Sequence, residues 1–289
     1  MRSKFRVRAA LVLLGCCIAS ADEPAWKVEK VLGNLQYASA VAWNKEFLVV
    51  ADLPARKITR IDAEGAATFQ DNLAAGAMAT DAEGRVYICD PKEHRVLRAD
   101  KRGKLEVLAT GFEGRRFVGP TGITIGKNNA VWVTDSAFGS SARKADPDSP
   151  GVYHISPKGE VTLVSRMKNR PNGIALSPDQ RKLYVVDSDA RAVVAWDIDR
   201  SGVATNEKRL FRTRQGVPNG ILVGPDGTFY IAGRNLEIYN AAGQPENLIE
   251  LAEKPADMTF GDSSHQSLYV AARSSLYRIR FEAAGSKGN

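Results

Sequence analysis

"RPNGIALSPDQRKLYVVDS", residues 170–188, and "VPNGILVGPDGTFYIAG", residues 217–233, say the same thing twice. Each has Pro-Asn-Gly, an alternating apolar run, a Pro-Asp turn and a second apolar run containing Tyr. Asn172 and Asn219 stand 47 residues apart. Weaker copies occupy residues 38–61, 75–98, 120–136 (closed by 151–165) and 255–281, which makes six copies of about 45 residues. Within a copy the apolar residues alternate, as in Ile174 and Leu176, Leu183 and Val185, Val193 and Ala195. Turn tripeptides such as "PDQ", "PDG", "AEG" and "PKG" separate the runs. Period two broken by turn residues is the pattern of short strands, and no segment shows the 3.6-residue period of an amphipathic helix. Four short strands per repeat of this length predict an all-β, six-bladed β-propeller.

The sixth copy is one strand short, and the alternating run "AWKVEKVL", 25–32, belongs to no copy. We expect this N-terminal strand to close the last blade, leaving no open sheet edge. The aspartates Asp52, Asp90, Asp135 and Asp187 each end the second run of a copy. They read as caps of the turn that follows.

Residues 1–21 have a basic start (Arg2, Lys4, Arg6, Arg8), an apolar run from Ala9 to Ile18 and a small-x-small end, Ala19-Ser20-Ala21. That is the pattern of a cleaved signal peptide. It predicts an exported, periplasmic or secreted protein with one propeller domain over 22–289. "LLGC" at 13–16 offers a lipoprotein route through Cys16 as the alternative. The apolar run is too short for a transmembrane segment. Loss of the leader lowers the net charge from +7 to +3, too weak to argue for nucleic acid or membrane binding, and leaves Cys89 without a partner for a disulfide. Cys89 reads as a small core residue, and His94, His154 and His265 as surface residues near turns without ligand spacing.

Asn-Gly by itself suits a turn, because both residues tolerate positive φ. A second reading follows from the blades. The first strand of each blade lines the central channel, so its first residue stands at one mouth. Aligned over the copies, that ring is Ser39, Gly76, Thr121, Asn172, Asn219 and either Ala256 or Asp257. Oxygen donors converging on one axis suit a hard divalent cation such as Ca2+.

The two Pro-Asn-Gly phrases and the ending "SLYVAARSSLYRIRF" resemble the gluconolactonase/regucalcin (senescence marker protein) family. The resemblance spans residues 35–281. It implies a six-bladed propeller with one divalent cation, Ca2+ or Zn2+, in the channel, and hydrolysis of a small-molecule, sugar-derived lactone. The family's central asparagine matches Asn172. Its "PDG" aspartate, a metal ligand and general base, falls on Asn219. Its first glutamate ligand falls on Ser39, a "PND" asparagine on Thr121, and a last-blade asparagine on Asp257. The resemblance therefore implies Asn172, Asn219, Asp257, Ser39 and Thr121 as the metal set. An amide is not basic near neutral pH, so Asn219 cannot serve as the base, and we expect Asp257, the one carboxylate at the ring, to be both metal ligand and catalytic base. There is no G-x-S-x-G and no phosphate loop. The insertion 143–151 reads as a mouth loop, either a lid or a solvated excursion. A non-catalytic propeller that binds a small ligand or a protein is the competing expectation, because four of the five carried-over positions differ from the family pattern.

Overall fold

The computed structural model describes residues 26–136, 150–167, 169–199, 202–261, 264 and 266–281. The leader (1–21) and residues 137–149, most of the mouth insertion, lie outside them, as does His265. Every regular element among the described residues is a β-strand or bridge. The described residues form six four-stranded antiparallel sheets, over 38–71, 77–109, 120–165, 171–212, 221–249 and 255–281, the last taking its fourth strand from 26–32. These are the six blades of a propeller, with one small extra hairpin, Gly111–Phe112 with Arg115–Arg116, between blades two and three.

Burial explains the sequence pattern. The second strands Leu48–Asp52, Val86–Asp90 and Val131–Asp135 are buried at every position, because both faces of a blade pack against neighbours. The outermost strands, such as Gly65–Asp71 and Ala204–Arg212, are mostly exposed, and the second of these is mostly polar. The core is accordingly not one mass but a wedge between each pair of blades. Ala40, Val49 and Ile58 of blade one meet Met78, Ile88 and Leu97 of blade two. Equivalent wedges join blades two to three, three to four, four to five and five to six. A sixth wedge sets Ala271 and Leu276 of blade six against Ala38, Val41 and Val50 of blade one. Cys89 lies within the second wedge, fully buried and with a free thiol.

The strand Trp26–Leu32 pairs antiparallel with Ser275–Phe281, so it is the outer strand of blade six. Hairpin turns use the expected residues. Gly227 takes φ 86° after Pro-Asp, and Gln180 takes φ 59° at the matching place. In both turns the aspartate, Asp226 or Asp179, accepts a backbone N–H two residues on.

The strand-end aspartates divide into two kinds. Asp90 and Asp187 accept from Glu93 N and Ala190 N in the following turn, as expected. Asp52 accepts instead from Gln36 N and Tyr37 N, and Asp135 from Val118 N and Gly119 N. Those amides belong to the chain entering the same blade, so these two carboxylates tie the blade's entrance to its second strand. In blade five Glu237 holds Arg214 N and Gln215 N in the same way. His154 departs from the surface expectation: it lies in the strand Gly151–Ile155, half-buried beside Trp132 at 4.8 Å between ring centres.

Candidate functional site

The first strands of the blades surround one cavity of about 210 Å3. All five residues expected at the site line it, namely Ser39, Thr121, Asn172, Asn219 and Asp257. Strand register sorts them into two levels. Pro120, Pro171 and Pro255 face Asp135, Asp187 and Ala272, so Thr121, Asn172 and Ala256 are equivalent. Ser39, Gly76 and Asn219 complete that rim. One residue deeper stand Ala40, Ala77, Gly122, Gly173, Gly220 and Asp257, as the pairings Ala40–Ala51, Gly122–Thr134 and Asp257–Ala271 show. The choice left open between Ala256 and Asp257 is thereby resolved. Ala256 occupies the rim, and Asp257 is the single charged residue in a layer otherwise made of glycine and alanine.

The turn reading of Asn-Gly does not hold. Neither asparagine and neither following glycine has positive φ. The glycines are there for close approach between blades. A Cβ on Gly122 would lie 2.2 Å from the Asn172 carbonyl oxygen, and one on Gly173 would lie 2.5 Å from that of Asn219. On Gly220 it would meet the Ala256 carbonyl at 2.7 Å. Each glycine makes room for the backbone of the next blade.

The rim side chains are tied into the same blade junctions. Ser39 Oγ donates to Ala75 O across the junction of blades one and two, at 2.7 Å. Thr121 Oγ1 lies 3.2 Å from Thr134 Oγ1 and 3.4 Å from Pro171 O. Thr134 Oγ1 donates to Asn172 O at 2.5 Å. Asn172 Nδ2 donates to Asn219 Oδ1 at 2.6 Å and to Ser188 Oγ at 3.2 Å. Asn219 is held by its own backbone: its N–H donates to Ala232 O, and its carbonyl accepts from Gly173 N.

At the junction of blades six and one, where other blades have glycine or alanine, Asp257 projects a carboxylate. Its Oδ2 accepts from Val41 N at 3.2 Å, and its Oδ1 lies beside Gly220. Removal from water pushes this carboxyl up to about 7, against the opposing donation of the Val41 and Met258 amides. A carboxyl that exchanges its proton near neutral pH and faces a cavity is suited to general acid–base work.

The donors do not match a divalent cation. Ca2+ takes six to eight oxygens and Zn2+ a compact set of nitrogen, sulfur or carboxylate ligands. Ser39 and Thr121 are engaged with blade-junction oxygens, and Asn219 Oδ1 is occupied by Asn172. Asp257 is the single carboxylate among these donors, and it stands one residue deeper than the rim. Among the described residues no three His, Cys, Asp or Glu side chains gather as a metal set.

Ser188 is a site residue that the motif reading passed over. It is 1% exposed, donates to Pro218 O at 2.9 Å and accepts from Asn172. Ser136 occupies the matching place one blade earlier and donates to Pro171 O. The signal was present as the Asp-Ser pair that ends "VWVTDS" and "YVVDS", found only in these two copies.

A family model described as SMP-30/Gluconolactonase/LRE-like region matches residues 26–274. A protein of Zymomonas mobilis named gluconolactonase is 25% identical over 294 residues, covering 89% of this chain and 82% of its own. Among solved structures, a gluconolactonase of Xanthomonas campestris superposes with TM-score 0.81 at 22% identity, covering 88% of this chain and 89% of that one. A calcium-binding protein, regucalcin, of Agrobacterium tumefaciens strain C58 gives TM-score 0.70 at 16% identity, over 86% and 92% of the two chains. At these identities the structural likeness establishes the shared fold.

Proposed function

The chain belongs to the SMP-30/gluconolactonase/LRE-like family, and on that premise we propose that it is a lactonase that hydrolyses a small lactone in the cavity that the first strands surround. The observation that carries this reading is Asp257, a carboxylate with a proton affinity near neutrality in a layer where every other blade has glycine or alanine. A purely structural seam needs no charge there, since uncharged Ala40, Ala77, Gly122, Gly173 and Gly220 serve the other five blades. The relative named gluconolactonase, matched over 82% of its length, supports the reaction class.

In the proposed reaction Asp257 takes a proton from water as its oxygen attacks the lactone carbonyl carbon. The carbonyl π electrons move onto oxygen and return when the ring C–O bond breaks. The leaving ring oxygen takes the proton back from Asp257, giving the open-chain hydroxy acid. The cavity is smaller than the 300–1,000 Å3 of drug-sized sites, which favours a single small ring. The Ca2+ or Zn2+ dependence implied by the family resemblance has no matching donor set here, so no step is assigned to a metal.

Purified protein assayed against D-glucono-1,5-lactone and a panel of five- and six-membered lactones tests the reading. Hydrolysis with kcat/KM rising as pH passes about 7 is expected, as Asp257 loses its proton. Added Ca2+, Zn2+ or chelator should change the rate less than about twofold. Turnover that appears only with metal would restore the metal-dependent reading. Saturable binding of a lactone without hydrolysis would favour the non-catalytic alternative.

A further inference from the structure

The two channel amides have a defined polarity, and it is set from behind them. The Ser188 hydroxyl has one proton, and it donates that proton to Pro218 O at 2.9 Å. Its oxygen is left as an acceptor, so the group 3.2 Å away on Asn172 must be the NH2, not the carbonyl. The second proton of that NH2 goes to Asn219 Oδ1 at 2.6 Å. Turning the Asn172 amide over, with or without Asn219, would set its oxygen against Ser188 Oγ with no proton between them. Ser188 is 1% exposed and Asn172 8%, so water has little room to repair that loss.

Asn219 is therefore an acceptor through oxygen toward Asn172, and its own Nδ2 keeps two protons that no acceptor takes among the described residues. Asn219 lines the cavity, in the blade next to Asp257, whose Oδ1 lies against Gly220. We infer that Asn219 is a catalytic oxyanion donor: its NH2 binds the lactone carbonyl oxygen as that oxygen gains negative charge. Ser188 is the positioning residue that imposes this polarity through Asn172. The inference rests on the lactonase reading and replaces the expected role of Asn219 as a cation ligand. It also accounts for an amide where the family resemblance expects a carboxylate, because an oxyanion is bound by a donor and repelled by a negative charge.

Three variants test it, each assayed with D-glucono-1,5-lactone and each titrated with Ca2+ by calorimetry. Asn219→Ala should lower kcat by about 100- to 1,000-fold with KM and melting temperature nearly unchanged. Asn219→Asp keeps the acceptor for Asn172 but donates nothing. It should lose kcat to the same degree and gain Ca2+ binding that the wild type lacks. Ser188→Ala releases Asn172 and should lower kcat about tenfold while KM holds, a split that loss of packing alone would not produce. Wild-type turnover with undiminished Asn219→Ala overturns the inference and leaves the lactonase reading standing. Wild-type Ca2+ binding that Asn219→Ala abolishes overturns it whatever the activity. A wild type that hydrolyses no lactone removes the reaction and the oxyanion role together, while the Ca2+ titrations still decide the polarity of the amide pair.

Discussion

The junction of blades four and five and the junction of blades six and one use the same strand position for opposite ends. At the first, Gly173 has no side chain because the Asn219 carbonyl occupies the space where a Cβ would go. At the second, Asp257 stands at the equivalent position and reaches the Val41 amide with its carboxylate. One position thus serves close packing in five blades and holds a titratable group in the sixth. Repetition builds the wall, and the departure from repetition supplies the chemistry. The junctions also differ in covalent continuity. Blades four and five are consecutive in the chain, whereas blade six meets blade one across the chain ends.

The strongest way to break the comparison is to remove the non-consecutive strand. We propose that Trp26–Leu32 closes the ring, since it pairs with Ser275–Phe281 while Trp26 and Leu32 pack into the wedges on either side of blade six. Deleting 26–32 should cost on the order of 5 kcal/mol or more, comparable to the whole stability of many domains, and leave insoluble protein. A soluble deletion variant with an unchanged melting temperature would show that the sixth wedge alone holds the seam.

A smaller effect is expected at the glycine junctions. Gly122→Ala would place a methyl group 2.2 Å from the Asn172 carbonyl oxygen, a backbone atom that cannot rotate away. Overpacking of this kind should cost about 3 kcal/mol in urea unfolding, with the denaturant slope preserved. Ala40→Gly, at the same level of blade one, removes one small side chain and should cost about 1 kcal/mol. Equal costs at the two positions would contradict the argument that close approach selects glycine.

A modest stability effect, coupled to a large functional one, is expected of Asp257→Asn. The folded carboxyl holds its proton up to about 7, above its ordinary 3.8. The folded state therefore binds this proton more tightly than the unfolded chain, and its contribution is fully favourable only below about 4. Wild-type stability should fall as pH rises from about 4 to about 7 and stay reduced above that. Asn keeps an acceptor for Val41 N without the charge. The variant should match the wild type near pH 4 and exceed it by about 1–2 kcal/mol at pH 8, the cavity water moderating the cost of the charge. Its kcat/KM should fall about 100-fold or more. A variant less stable than the wild type at pH 8 would make Asp257 a structural seam residue.

Much of this was legible in the chain. Period-two runs, turn tripeptides and the 45-residue repeat specify strands, their number and their order, because each follows from local chemistry repeated six times. The ring of first residues was legible for the same reason, and Ser39, Thr121, Asn172 and Asn219 do share one cavity. What a residue does there was not. Asn-Gly looked like a turn because a pair of residues carries no record of a carbonyl approaching from 47 residues away. Asp52 and Asp135 looked like caps of the next turn, yet the amides they hold come earlier in the chain and are brought back by the blade's own closure.

The sequence by itself determined the class, the blade count and the family, since alternation, turn chemistry and repeat length are properties of short segments. Tertiary structure alone decided the depth of Asp257, the polarity of the Asn172–Asn219 pair and the part played by Ser188. Depth depends on strand register across the seam, and polarity on where a single hydroxyl proton goes. Burial moves the proton affinity of Asp257 toward neutrality only once the blades have closed around the cavity that it lines. These are relations between residues of different blades, and they come into being only once the ring has formed.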